Sequence, residues 1–166
     1  MELIGVRVEL PANQPIVLLK ETSGTRYLPI WIGAVEATAI AFALQGVETP
    51  RPLTHDLFVD VLGELDVTLS AVHVTDLRDG TFFAELHLQR GESSWTVSAR
   101  PSDAVALAAR LDGVPLWAHE AVLEEAGLEI DRDDESGDEQ SVDPEAAVRE
   151  FREFLDQVTP EDFKPE

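Results

Sequence analysis

Short apolar runs separated by glycine, proline and acidic residues organise the first 130 positions. Leu3 to Leu10 (LIGVRVEL), Ile16 to Lys20 (IVLLK) and Tyr27 to Ile32 (YLPIWI) are rich in β-branched and aromatic residues and predict three strands. Val67 to Leu77, Thr81 to Gln89 (TFFAELHLQ) and Ser94 to Ala99 (SWTVSA) predict three more, with Asp79-Gly80 as a hairpin turn. Ala34 to Gln45 and Pro101 to Leu111 are longer and almost wholly small or apolar, so they read as helices; the second opens with proline at a favoured first position. A helix that is apolar around most of its circumference is buried on more than one side. Both are therefore expected to pack on a sheet and against each other or a subunit partner. Leu116, Trp117 and Ala118 predict an added edge strand.

The two halves of this pattern superpose. A shift of 67 residues lays Ile32 to Ala37 over Ala99 to Ala104, Gly24 over Gly91 and Gly46 over Gly113, and it aligns Glu36 with Asp103. A shift of 64 lays His55-Asp56 over His119-Glu120 and Gly63 over Gly127, which predicts a shorter second helix closing each half. The period is longer than that of solenoid repeats. The expected fold is therefore α+β: an internally duplicated unit of three strands, a buried helix and a shorter second helix. Units of about 1–65 and 66–130 are expected to form one pseudo-symmetric domain.

Composition bounds the chemistry. The 166 residues are 44% apolar, enough for a sizeable core, and contain no cysteine, which excludes disulfides and thiolate metal sites. Residues 1–10 lack the features of a signal peptide and no stretch reaches the ~18 apolar residues of a membrane helix, so cytoplasm is the expected address and no membrane partner is expected. The formal charge of -21 is uneven: residues 131–166 hold 14 acids against 4 bases. Residues 131–143 (DRDDESGDEQSVD) predict a disordered acidic linker. Beyond them Ala147, Val148, Phe151, Phe154 and Leu155 recur at helical spacing, so 144–166 predict a short amphipathic helix and tail. Such a helix docks on its own domain, on a neighbouring subunit or on a protein partner.

Two segments carry candidate chemistry. Arg51-Pro52-Leu53-Thr54-His55-Asp56 offers a guanidinium for phosphate, a hydroxyl, an imidazole that titrates near neutrality and a carboxylate. Arg100-Pro101-Ser102-Asp103 offers similar groups at the start of the second long helix, where free amide groups favour anions. Ordinary structural roles fit the same residues: Thr54 as a helix N-cap, and Glu36, Asp56 and Asp103 as first-turn acids facing the positive end of a helix. There is no glycine-rich phosphate loop, nucleophile elbow or HExxH, and the first 130 residues hold 8 basic side chains against 19 acids. No basic stripe announces a nucleic-acid surface, and the net charge opposes one.

Four blocks in order, LPIWIG followed by EA (28–37), RPLTHDL (51–57), DGTFFAEL (79–86) and ARPSDAVALAAR (99–110), resemble the bifunctional nuclease family, a bacterial and plant domain described as having RNase and DNase activity. The resemblance covers about residues 1–128. It implies hydrolysis of phosphodiester bonds in RNA and DNA. Under it His55, paired with Asp56, is the candidate base, with Glu36 and Asp103 as further catalytic candidates able to hold a divalent ion such as Mg²⁺ or Mn²⁺. Arg51, Thr54, Arg100 and Ser102 are the candidate substrate-binding residues. Two other classes compete: a non-catalytic homo-oligomeric interaction protein, a dimer in its simplest form, whose acidic tail engages a partner, and a binder of a small phosphorylated ligand.

Overall fold

A computed structural model describes residues 1–9 and 13–129, so the linker expected at 131–143 and the helix expected at 144–166 lie outside the described residues. The described residues form an α+β fold of eight strands and four helices in two four-stranded sheets. In the first sheet β1 (Glu2–Glu9), β2 (Gln14–Lys20) and β3 (Arg26–Trp31) form an antiparallel meander, which β8 (Leu128–Glu129) extends beyond β3. In the second, β4 (Thr68–Arg78), β5 (Thr81–Arg90) and β6 (Ser93–Ala99) form another meander, and β7 (Leu116–Ala118) lies parallel to β4. The hairpin turn between β4 and β5 is Asp79-Gly80, and both residues take positive φ, as a tight primed turn requires.

Each meander is followed by a helix, α1 (Ala34–Leu44) and α3 (Pro101–Ala108), and each half has a second helix, α2 (Thr54–Glu64) and α4 (Glu120–Ala126). The order of elements recurs, but the completion of the sheets does not: the added strand pairs with the third strand of the first meander and with the first strand of the second. The second helices also start differently, since His55 lies inside α2 whereas His119 is the N-cap of α4, and α2 runs through Gly63 whereas α4 stops at Gly127.

The core explains which of the two long helices is buried. Val17, Leu19, Leu28 and Ile30 of the first sheet and Leu69, Val72, Val74 and Leu86 of the second join Ala104 to Ala108 of α3 in one cluster. Every residue of α3 except Asp103 is buried. The first long helix differs from its expected burial: only Ala37 and Ile40 are buried, and Val35 is 71% exposed. It packs on α3 and the first sheet by one side, so its apolar outer side stays open. Met1 joins the halves, donating its terminal ammonium to the Leu116 carbonyl at 2.7 Å. Met1–Ile130 form one compact unit, and among the described residues no helix is long and apolar enough to cross a membrane.

Candidate functional site

Three helix N-termini converge. The N-caps of α1, α2 and α3 are Gly33, Leu53 and Arg100, each with extended backbone, and the acids Glu36, Asp56 and Asp103 stand in the first turn of their helices. Free backbone N–H groups and the positive dipole end favour an acid at each position. What the side chains then do depends on the arginines.

Arg100 binds two of these acids. Its Nε and Nη2 donate to Asp103 Oδ2 and Oδ1 at 2.7 and 3.0 Å, and its Nη1 lies 2.8 Å from Glu36 Oε1 on α1. A Cβ on Gly33 would meet Glu36 Oε2 at 2.2 Å, so the absence of a side chain there gives that carboxylate its room over the start of α1. Asp103 Oδ1 is also 3.3 Å from His55 Nε2, which brings α2 into the chain of contacts. Glu36, Arg100, Asp103 and His55 thus form one continuous polar chain drawn from three helix starts. The Arg100 hydrogen bonds, ahead of that of His55, hold the Asp103 carboxyl below its ordinary range, and the acids in turn raise the pKa of Arg100.

Asp56 belongs to a second group. Its Oδ1 accepts from Arg110 Nε at 2.5 Å and its Oδ2 from the Leu53 backbone N–H at 2.8 Å. Asp56, and not Thr54, therefore caps α2; Thr54 is the first helical residue and is exposed. His55 is paired with Asp103 rather than with the adjacent Asp56. Arg110 is 9% exposed at its side chain and also donates to the carbonyls of Ala39 and Ala106, tying α1, α2 and α3 together behind the site. Arg110 escaped notice in the sequence, although a lone cation just past an apolar helix is buried only when paired and can cap that helix's last carbonyls.

The remaining candidates divide. Ser102 is buried and lines, with Trp31, Gly33, Glu36, Phe82 and Arg100, a cleft of about 280 Å³. Arg51 is exposed and has no ion pair among the described residues. The echo of His55-Asp56 at His119-Glu120 has other chemistry: Glu120 binds Arg26 at 2.7 Å, and the His119 ring stands 6.4 Å from that of His73 on the second sheet. A protein-held divalent ion does not fit the polar chain, because Arg100 already occupies both carboxylates. Among the described residues no group of three or more His, Asp or Glu side chains could hold one.

The bifunctional nuclease domain model matches residues 17–131, which contain the whole polar chain and the Arg110 brace. The chain belongs to the bifunctional nuclease domain family. Two Mycobacterium tuberculosis proteins, uncharacterized protein MT1877 of strain CDC 1551 / Oshkosh and uncharacterized protein Rv1829 of strain H37Rv, are each 53% identical over 165 residues, covering 99% of this chain and 97% of the relative. The family model begins at Val17, inside β2, so β1 lies outside the matched region.

The depressed acids make this bifunctional nuclease domain acid-sensitive in a defined window. Asp103 and Asp56 are both held below the ordinary aspartate value of 3.8, chiefly by Arg100 and Arg110 respectively. A carboxyl whose folded pKa is depressed adds stability that is present above its unfolded value and lost as pH falls through the folded one. The melting temperature should therefore fall as the pH drops below about 4, and Asp103→Asn should flatten that decline. Thermal unfolding followed between pH 2 and 5 checks this; an identical acid limb in the variant would remove Asp103 from the account.

Proposed function

We propose that this bifunctional nuclease domain hydrolyses phosphodiester bonds of single-stranded RNA and DNA at the Glu36–Arg100–Asp103–His55 chain. The observation that carries the reading is the 3.3 Å contact between His55 and Asp103, which joins the two segments most suited to phosphate chemistry, 48 residues apart in sequence, at one place. An ionised Asp103 can only accept, so an Nε2–H is the group that suits the contact, and Nδ1 is the nitrogen assigned to take a proton from water. The Arg100 guanidinium is 65% exposed at its side chain and has the planar fork that suits phosphate oxygens, so it is the group assigned to the charge that develops there. Trp31 is exposed at the rim of the cleft, where its indole N–H is anchored on Glu9 at 2.9 Å, and its face suits a stacked base. Glu36 and Asp103 position Arg100; Asp56 and Arg110 position the start of α2.

One observation favours a non-catalytic scaffold instead: Arg100 is already neutralised by two acids of its own chain, so it brings no surplus positive charge to a polyanion. Incubation of the full chain with single-stranded RNA and DNA oligonucleotides separates the two. The nuclease reading expects both to be cut, and Arg100→Ala to be ~10²–10³-fold slower, the usual cost of losing one donor to a developing oxyanion. The exposure of Arg100 keeps the cost to stability small. Undiminished cleavage by an identically purified Arg100→Ala protein, or none by the wild type, would leave the scaffold reading.

A further inference from the structure

The cleft of about 280 Å³ beside Arg100 is larger than a phosphate group needs. It lies just below the ~300–1,000 Å³ of sites that take drug-sized ligands, so it has room for about one nucleotide. A base can enter such a cleft only when it is unstacked. The lining comes from the end of β3 and the start of α1, and from the β4–β5 turn and the start of α3. Two aromatic side chains belong to it. On β3 the side chain of Ile30 is buried, and that of Trp31, on the opposite face of the strand, is exposed with its indole N–H held by Glu9. Phe82, at the start of β5, is half-buried against the core.

Two polar groups in the same lining lack partners. Ser102 is the one buried polar residue among the described residues, 6% exposed, and its hydroxyl makes no hydrogen bond among them. A buried polar group without a partner calls for an explanation, and a ligand that enters the cleft supplies one. Glu36 faces Arg100 Nη1 with Oε1 at 2.8 Å, while its Oε2 has no such contact. A carboxylate only accepts, whereas a hydroxyl both donates and accepts. Such a pair suits the edge of a base that carries an amino group; a carboxylate that accepts from the cytosine amino group is a recurrent pairing. Uracil and thymine present a carbonyl oxygen in the same place, which a carboxylate repels. Resting on the nuclease reading of this site, we propose that the cleft seats one unstacked base against Trp31, with its amino group donating to Glu36 and its edge met by Ser102, while Arg100 holds the adjacent phosphate. The domain then favours cytosine, adenine and guanine over uracil and thymine at that position.

Binding is measured apart from cleavage, by NMR titration of the full chain with cytidine monophosphate, uridine monophosphate and inorganic phosphate. The two nucleotides differ at one ring position, an amino group in the first and a carbonyl in the second. The cytidine nucleotide should shift the Trp31 indole N–H resonance, and inorganic phosphate should leave it in place. It should bind at least about tenfold tighter than the uridine nucleotide, the low end for a hydrogen bond to a charged group. Trp31→Ala should weaken it at least about fivefold, the low end for a base stacked on an aromatic side chain. Glu36→Gln, whose amide both donates and accepts, should bring the two nucleotides to within about twofold of each other with unchanged circular dichroism. A Trp31 resonance indifferent to the cytidine nucleotide, equal binding of the two nucleotides, or a preference that survives Glu36→Gln would overturn the base seat, whatever the protein does to oligonucleotides. The expected binding pattern in a protein that cleaves no oligonucleotide would uphold the seat and remove only the nuclease reading.

Discussion

Replacing His55 with alanine is expected to slow cleavage of single-stranded RNA by ~10²–10⁴-fold, the range over which a positioned general base acts. The imidazole is 17% exposed and touches the rest of the polar chain through Nε2 alone, so its removal leaves Arg100 clamped between Asp103 and Glu36. Folding should be almost unaffected, and melting temperatures measured beside the rates check that. A rate within a factor of about two of wild type would remove His55 from the chemistry, because no general base acts so weakly. Loss of rate together with loss of folding would make His55 a structural residue.

Replacing Arg110 with alanine should do the reverse, with its main effect on stability. The guanidinium is nearly buried and satisfies three acceptors on three helices: Asp56, Ala39 and Ala106. The amide of Arg110 turns to Leu107, so its own guanidinium serves the Ala106 carbonyl at the end of α3. Breaking a buried ion pair by removing one partner costs about 3–5 kcal/mol. Asp56 is a third exposed and keeps the Leu53 amide, which brings the expected loss to about 2–3 kcal/mol. Urea unfolding measures it. Cleavage per folded molecule should fall only as far as the start of α2 shifts. A loss below about 0.5 kcal/mol would mean that water replaces the guanidinium without strain.

Much of this architecture is legible in the amino-acid sequence because it is written in local patterns. The six long strands, α1 and α3, and even the three residues of β7 follow from apolar periodicity and turn residues, which report on neighbouring positions. Long-range pairing does not. The two residues of β8 have no pattern of their own and become a strand only because β3 has a free edge. The exposure of α1 was equally illegible: an apolar circumference predicts burial on several sides, but only α3 is packed against a sheet and two other helices at once.

The candidate site shows the same division. Residue types at Glu36, His55, Arg100 and Asp103 marked them in the sequence, and the fold brings these four together. The pairing adjacent in sequence, His55 with Asp56, was the wrong partner to read from proximity: consecutive helical residues diverge by about 100° around the axis, so one faces Asp103 while the other faces Arg110. Thr54 yielded the capping role to Asp56 for a related reason, since Leu53 stands at the N-cap and the third helical residue reaches back to its amide. The repeat had offered His119-Glu120 as an equivalent of His55-Asp56, yet its acid binds Arg26 and its imidazole joins His73. Similar residue pairs at similar places in the two halves have different partners.

Whether His55 and Asp103 act as one unit is decided by a double-mutant cycle of cleavage rates with His55→Ala, Asp103→Asn and the combined variant. Groups that act together are non-additive. The combined variant is predicted to be no more than about threefold slower than the slower single variant, since each substitution alone already breaks the unit. Rate losses that multiply in the combined variant would show that His55 and Asp103 act independently.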